Sequence, residues 1–486
     1  MKFYGKMFKV VIWLVLTCMT VMCFSGCGKK EESSMTTLKW YIPCIQTEGR
    51  AEVETEVNKL LEKEGLQVEL LYIPQNDYSS KLQVINGSRE EYDLCFTSNW
   101  VNDFYKNVSG GALYDITELI PEYAPKLYAS MDEEIWNAIK VDGKLYSVPN
   151  WQILTKGTTM MSLDKHFEKT GIDPESIRDM DDVDNFLRKL NEVEPTSNLY
   201  SSYWDVLIQH YGMLPVGGLT LPGAICYKDD DCYKVVNQYE TKEFEEYVRM
   251  VRGWVEDGLL YKDYLIGEDK TNLVNSGSNF FALRFGTCSP FAASQVSNDK
   301  YTYKMSCLGG HVISTDGITA AMTGVSSTTK NPEAAVKLLE IVNTTPEIMN
   351  LICYGVEGKH YNKVSENRIE LIPNSGYTAP QYFFVASAKN LYLTPRYEDD
   401  VWEKTEEYNT TAELSPILGF VPDTTNIAGE LANCQNVIKE QLEMLTTGYV
   451  PVDEGLKKLR DSLNAAGAQK IIDEYQRQID EWVSKK

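Results

Sequence analysis

Local signatures of catalysis are scarce in this chain. It has no H-E-x-x-H, G-x-S-x-G or G-x-x-x-x-G-K-[ST], the spacings that set up a zinc-bound water, a nucleophile elbow or a phosphate cradle. Its four histidines, 166, 210, 311 and 360, are far apart in sequence. No C-x-x-C occurs, so thiol redox chemistry and thiolate zinc sites lack local support. The paired carboxylates of a glycoside hydrolase need only spatial proximity, but with 70 acidic residues some close pair arises regardless, so such a pair would not mark an enzyme. No cofactor or metal is expected. Positive charge is also short: 47 Lys and Arg against 70 Asp and Glu give −23. That balance argues against nucleic acid and against loose attachment to anionic lipid, both of which call for basic patches. No apolar run reaches the ~20 residues a membrane-crossing helix needs.

What is there begins at the N-terminus. Lys2, Lys6 and Lys9 precede the uncharged stretch Val10 to Phe24, and F-S-G-C-G-K-K-E-E-S-S follows. A positive front, a short apolar core and small residues before a cut are the marks of a signal peptide. Ser25-Gly26-Cys27 resembles the lipobox of bacterial lipoproteins, although Phe24 departs from the usual Leu, Val or Ile. The resemblance implies cleavage before Cys27, a diacylglycerol on its thiol and a body on the outer face of the cytoplasmic membrane, as in Gram-positive bacteria. Two acyl chains suffice for stable anchoring. An uncleaved anchor helix or an ordinary secretory signal is the alternative. Residues 1–26 are then the signal and 27–36 a polar tether. Removing the signal takes away three lysines and no acid, leaving 44 bases against 70 acids.

Eight further cysteines remain, at 44, 95, 226, 232, 288, 307, 353 and 434. Cys226 and Cys232 flank the turn Y-K-D-D-D and are the pair locally placed for a disulfide, with two free thiols as the alternative. Cys95 and Cys353 lie in apolar runs and read as buried thiols.

The remaining length calls for two domains. Strand patterns at 38–43, 66–73 and 92–98 alternate with helical patterns at 50–64 and 78–86, which predicts βαβ units and a mainly parallel sheet. V-D-G-K-L-Y-S-V-P (141–149) reads as a hairpin around Asp-Gly. Further helices are expected at 181–192, 242–257 and 333–343, a buried strand at 280–286, and another in G-I-T-A-A-M-T-G-V. Two amphipathic helices, 427–445 and 452–483, close the chain, the second interrupted near Ala466-Gly467.

This order of segments, with W-N-A-I-K-V-D-G-K-L-Y-S-V-P-N, E-F-E-E-Y-V-R-M-V-R-G-W-V-E-D-G-L-L and G-V-S-S-T-T-K-N-P-E-A-A-V-K-L-L-E-I-V-N-T-T-P-E-I-M-N-L-I-C-Y-G-V-E-G-K-H-Y, resembles the extracellular solute-binding lipoproteins of ABC importers. That class includes maltose-binding-type receptors and a sugar-uptake subgroup with an uncharacterised C-terminal domain. The resemblance implies an α/β, periplasmic-binding-protein-like fold: two α/β lobes around a ligand cleft, hinge crossings and extra C-terminal helices. It implies a monomer that takes a small solute, expected to be an oligosaccharide, to the membrane subunits of a permease. Peptides or a cationic solute are the alternative cargo, and a secreted glycoside hydrolase the alternative class. The expected lobes are 37–149 with 286–343, and 150–285 with 344–486. Crossings are expected near Pro149–Gln152, Arg284–Cys288 and Asn343–Glu347.

Ligands of open α/β sheets bind beyond the carboxyl ends of strands and between domains. Aromatic faces cover the C–H faces of a sugar while amides and charged groups match its hydroxyls. Asn99 and Trp100, directly after a strand, are therefore the first candidates, and Asn150, Trp151 and Gln152 at the first crossing the second. Tyr203 and Trp204 sit in an aromatic cluster that suits either the cleft or a helix core. Arg284, the one base in an apolar strand, is either a ligand contact or half of a structural pair. Gln46, Glu48 and Tyr354 complete the set.

Overall fold

The computed structural model describes residues 35–45, 49–194, 199–201, 204–260, 280–286 and 301–485. Cys27, Gln46, Glu48, Tyr203 and Cys288 lie outside the described residues, as does the side chain of Arg284. Among the described residues no helix is long and apolar enough to cross a membrane.

Two sheets organise the chain. The first runs in the order Leu66–Ile73, Thr36–Pro43, Leu94–Thr97, Met322–Val325, Ser147–Pro149. Its first three strands are parallel and are linked by the helices Arg50–Leu61 and Gln75–Ser88, as the alternating pattern predicts. Met322–Val325 enters antiparallel to both of its neighbours. Asp142 and Gly143 do form a tight turn with φ of 51° and 79°, bridged between Val141 and Lys144. The hairpin stops there, because Ser147–Pro149 pairs with Met322–Val325 instead. The second sheet runs Glu413–Leu414, Val312–Ile313, Thr155–Leu163, Phe280–Gly286, Leu199–Ser201, with Tyr303–Cys307 also on Thr155–Leu163.

Each sheet has its own core. The first gathers apolar side chains from 38–154, 313–353 and 384–391; the second gathers them from 160–260, 308–312 and 417–479. These memberships correct the expected lobe boundaries. Helix Pro346–Tyr354 buries Ile348, Met349, Ile352 and Cys353 in the first core, and Tyr303–Cys307 and Val312 belong to the second sheet. The Thr345-Pro346 junction resembles a linker in sequence, but its proline opens a helix that folds back within the same lobe. Pro at a helix start fits a kink and a crossing equally well.

The chain therefore crosses between lobes at 150–154, at 314–321 and near 411–412. The first lies where the sequence places it. Arg284 is in no crossing, since its backbone pairs with Thr159 inside the second sheet, and Asn343 is in the first lobe, its Oδ1 accepting from Ser387 N. The three crossings are stitched together. Val312–Ile313 lies between the start of Thr155–Leu163 and Glu413–Leu414. Asn409, only 5% exposed, accepts at Oδ1 from Leu154 N (3.0 Å) and donates from Nδ2 to Gln152 O (2.8 Å). Asn150 N donates to Ala321 O (2.9 Å). A Cβ at Gly317 would lie 2.3 Å from Leu154 O, so only glycine allows the second crossing to pass so close to the first.

The C-terminal helices Ala428–Thr446, Val452–Ala466 and Ala468–Val483 press Leu456, Leu459 and Leu463, then Ile471, Ile472, Tyr475 and Ile479, into the second core. Spacings of three and four residues put each set on one helical face. The break expected near Ala466-Gly467 falls at Gly467, whose φ of 100° ends one helix and starts the next. Cys226 and Cys232 are free thiols; backbone hydrogen bonds, Asp229 N to Cys226 O (3.2 Å) among them, close their turn without a bridge. Cys95 and Cys353 are buried and free. Cys307 is disulfide-bonded to a partner outside the described residues.

Replacing Asn409 with Leu keeps the branched shape but strands Leu154 N–H and Gln152 C=O. Unmet buried groups cost about 1–3 kcal/mol each, so urea unfolding is expected to show about 2–3 kcal/mol of lost stability; a loss below 0.5 kcal/mol (about a third of one such bond) would mean that the crossings do not depend on this side chain.

Three histidines set a pH dependence. Burial lowers the imidazoles of His210, His311 and His360 below their ordinary value, Lys359 adding to the effect at His360. His360 Nδ1 accepts from Val356 N (2.8 Å), which requires the neutral ring. Because the folded values lie below the unfolded value of about 6.5, the unfolded chain takes up more protons as pH falls through that point. Stability is thus complete above it and declines below it. Glu64 and Glu194, lowered by hydrogen bonds from Lys337 and Lys169, contribute only at more acid pH. The melting temperature followed by circular dichroism is expected to fall from pH 7 to pH 5; a rise over that interval refutes the assignment.

Candidate ligand-binding cleft

The lobes face each other across a cleft of about 580 Å³. Its first wall is the loop after strand Leu94–Thr97. Ser98 Oγ accepts from Val101 N (2.9 Å) and Trp100 N (3.3 Å), and Asn102 adopts φ 52° with its Nδ2 donating to Phe96 O (2.8 Å). This reversal turns Trp100 outward. The indole is 49% exposed, while its Nε1 donates to Ala320 O (2.7 Å) and Phe96, Phe383 and Phe384 pack about it at centroid distances of 6.3, 6.3 and 6.1 Å. Its orientation is fixed and part of its surface is open. Asn99 Nδ2 donates to Asp316 O (3.1 Å) and Oδ1 (3.3 Å), so the loop is fastened to the second crossing at two adjacent residues.

Two residues lining the cleft each carry a buried polar atom with no hydrogen-bond partner among the described residues: Tyr105 (Oη) from the first lobe and Gln209 (Oε1) from the second. Burial, with Asp316 and Asp103 adding to it, pushes the Tyr105 phenol up, so it is a neutral O–H donor at every physiological pH. Buried polar groups are rarely left unpaired. A donor on one wall and an acceptor on the other suit a ligand that carries both, as a hydroxyl does.

The far wall is the 214–219 loop, Leu-Pro-Val-Gly-Gly-Leu. Gly217 has φ 78°, and a Cβ there would lie 2.1 Å from Tyr475 Oη; one at Gly223 would lie 2.8 Å from Tyr475 Cδ2. The last helix thus wedges Tyr475 beneath the loop. Ile417, Phe420, Val421, Pro422 and Thr424 complete the lining. Among the described residues no group of three or more His, Cys, Asp or Glu could hold a metal ion.

Of the sequence candidates, the structure brings Asn99 and Trp100 into the cleft. It places the other described ones elsewhere, which corrects the expectation. Asn150 is 1% exposed, donating to Phe383 O and accepting from Thr323 Oγ1. Trp151 is in the first core with Lys389 Nζ 4.2 Å above its ring, so that face is taken. Gln152 offers its backbone carbonyl to Asn409 and does not line the cleft. Trp204 is fully buried, bonded to Gln238 Oε1 (2.7 Å) and packed on Tyr211, Phe244 and Tyr247, which settles the cluster's choice for the core at that residue. Tyr354 donates to Tyr392 O (3.1 Å) within the first lobe. Sequence reading missed Tyr105, Gln209 and the 214–219 loop. Gln209 left a trace as the one amide in V-L-I-Q, and Gly217-Gly218 as a pair in an apolar stretch.

Residues 416–484 match a family described as a domain of unknown function (DUF3502). The whole chain is similar to a carbohydrate ABC transporter substrate-binding protein of Streptococcus pneumoniae, 26% identical over 95% of this chain and 94% of that one. In three dimensions it is similar to the N-glycan transport solute binding protein NgtS of Streptococcus pneumoniae, with a TM-score of 0.81 and 26% identity, covering 93% of this chain and all of that one. Sequence and fold are thus both similar to those of solute-binding proteins of ABC importers. NgtS has also been solved with Man1GlcNAc and Man5GlcNAc bound. The lipoprotein LipO of Bacillus subtilis is 21% identical over 52% of this chain and 51% of its own length. The DUF3502 segment contributes both the 417–424 lining and the Tyr475 wedge, so in this chain it is part of the cleft.

Proposed function

We propose that this protein captures an oligosaccharide between its two lobes and passes it to the membrane subunits of an ABC importer. A diacylglycerol thioether on Cys27 holds it at the outer face of the cytoplasmic membrane. The observation behind the cargo is the pairing of a half-open indole, Trp100, with unpartnered buried atoms on opposite walls, Tyr105 Oη and Gln209 Oε1. An aromatic surface takes the apolar face of a sugar and the two polar atoms take its hydroxyls. The glycans bound by NgtS point to the same class. The protein acts as a monomer and as a binder without chemistry: the cleft carboxylates Asp103 and Asp316 already accept hydrogen bonds from Lys106 N and Asn99 Nδ2. Closure of the lobes about their crossings is the signal to the permease. Asn99 and Trp100 contact the sugar, and residues 417–424 form the wall behind it.

Calorimetric titration with Man5GlcNAc, kestose and a peptide mixture tests the cargo. Binding of at least one glycan is expected, weakened about tenfold or more by Trp100→Ala and about 3–10-fold by Gln209→Leu, with far-ultraviolet dichroism unchanged. Peptide binding without any glycan binding overturns the reading. For the anchor, Cys27→Ser is expected to leave the precursor uncleaved or to release the protein into the medium, read by labelling cells with a radioactive fatty acid; undiminished label on the variant would refute it.

A further inference from the structure

Trp100 lines two cavities. Besides the cleft, it borders a groove of about 550 Å³ on the first lobe, between the helices Gln75–Ser88 and Phe104–Ser109, and the two spaces share Asn99, Trp100 and Asp103. The groove is polar. Gln83, Asn86, Arg89 and Asn107 line it, and no hydrogen bond or ion pair among the described residues engages the side chains of Gln83 or Arg89.

The residues at its edge break local rules in a way the fold does not require. Gly87 lies in the last turn of helix Gln75–Ser88 without a positive φ, and a Cβ added there meets nothing within 4 Å. Glycine in a helix costs about 0.5–1 kcal/mol relative to alanine, and here neither backbone geometry nor packing demands it. Two residues on, Arg89 has φ 54°, the left-handed conformation that favours glycine. The chain thus sets glycine where a side chain fits and arginine where glycine fits. An open groove accounts for both: a side chain at 87 would project into it, and a guanidinium at 89 supplies donors at its edge.

We infer that this groove is a second subsite for the same ligand, holding a further arm of an oligosaccharide whose first sugars occupy the cleft, with Trp100 between the two. The inference rests on the oligosaccharide reading above. Amide and guanidinium groups read sugar hydroxyls, and apart from Trp100 the groove presents no aromatic platform, so it binds weakly alone. Its effect is felt when the arm is tethered to sugars already held in the cleft, at high effective concentration. The groove therefore selects for glycan length or branching.

Calorimetric titration of the purified protein with Man1GlcNAc and Man5GlcNAc separates the possibilities. The longer glycan is expected to bind at least about tenfold more tightly. Gly87→Gln, which fills the groove while keeping a good helix former, and Arg89→Gly, which relieves the left-handed backbone, are expected to hold or raise the melting temperature. Both are expected to lower affinity for Man5GlcNAc about 3–10-fold, leaving Man1GlcNAc within about twofold. Arg89→Gly is decisive, since a purely structural role predicts greater stability and no change in binding. Equal wild-type affinities, or variants that leave Man5GlcNAc binding untouched or weaken both glycans alike, overturn the second subsite alone. Failure of both glycans to bind the wild type overturns this inference, and the oligosaccharide reading falls with it if kestose also fails to bind.

Discussion

One carboxamide holds the geometry on which the rest depends. Asn409 satisfies the first crossing through Leu154 N and Gln152 O from a helix that leads into the third. The second crossing packs against the first at Gly317, where a side chain does not fit. The lobes have separate apolar cores, so the crossings, together with the Leu418–Gly419 turn packed against Ala138 of the first lobe, set how they stand relative to one another. A cleft between them keeps its shape only while the strands at its base stay in register.

The cleft-lining parts are tied to that base. Asn99 and Trp100 bond to Asp316 and Ala320, both in the second crossing. A load on the indole therefore reaches the second crossing through its own Nε1 hydrogen bond and no intervening loop. On the opposite side, Tyr475 fills the space beneath Gly217 and Gly223, so the C-terminal helices support a cleft wall from behind. That is a specific mechanical role for the segment matching DUF3502, over and above burying apolar surface.

Much of the fold was legible because its signals are local. The β-α-β-α-β order of the first lobe, the helices Lys242–Glu256 and Pro332–Thr344, and the glycine break at 467 all follow from periodicity and capping. The crossings were less so, because Thr345-Pro346 has the same chemistry whether it links lobes or kinks a helix pair. Trp100 and Trp204 show the limit for the site. Both are tryptophans near strand ends, yet one is half exposed and the other fully buried. Sequence signalled Trp100 through the strand it follows, but the partners that bury Trp204, Gln238, Phe244 and Tyr247 among them, are distant in the chain. Tyr105 and Gln209 stood out only once their missing hydrogen-bond partners were visible.

The place of Met322–Val325 has a consequence for how the molecule is made. This strand lies between Leu94–Thr97 and Ser147–Pro149, so the first sheet stays split until residue 325 has left the ribosome, well after residues 155–260, which include much of the second core, have emerged. Joining strands so far apart along the chain is slow, because a large loop must close before any contact rewards it. The N-terminal lobe, though first to be synthesised, is therefore late to fold.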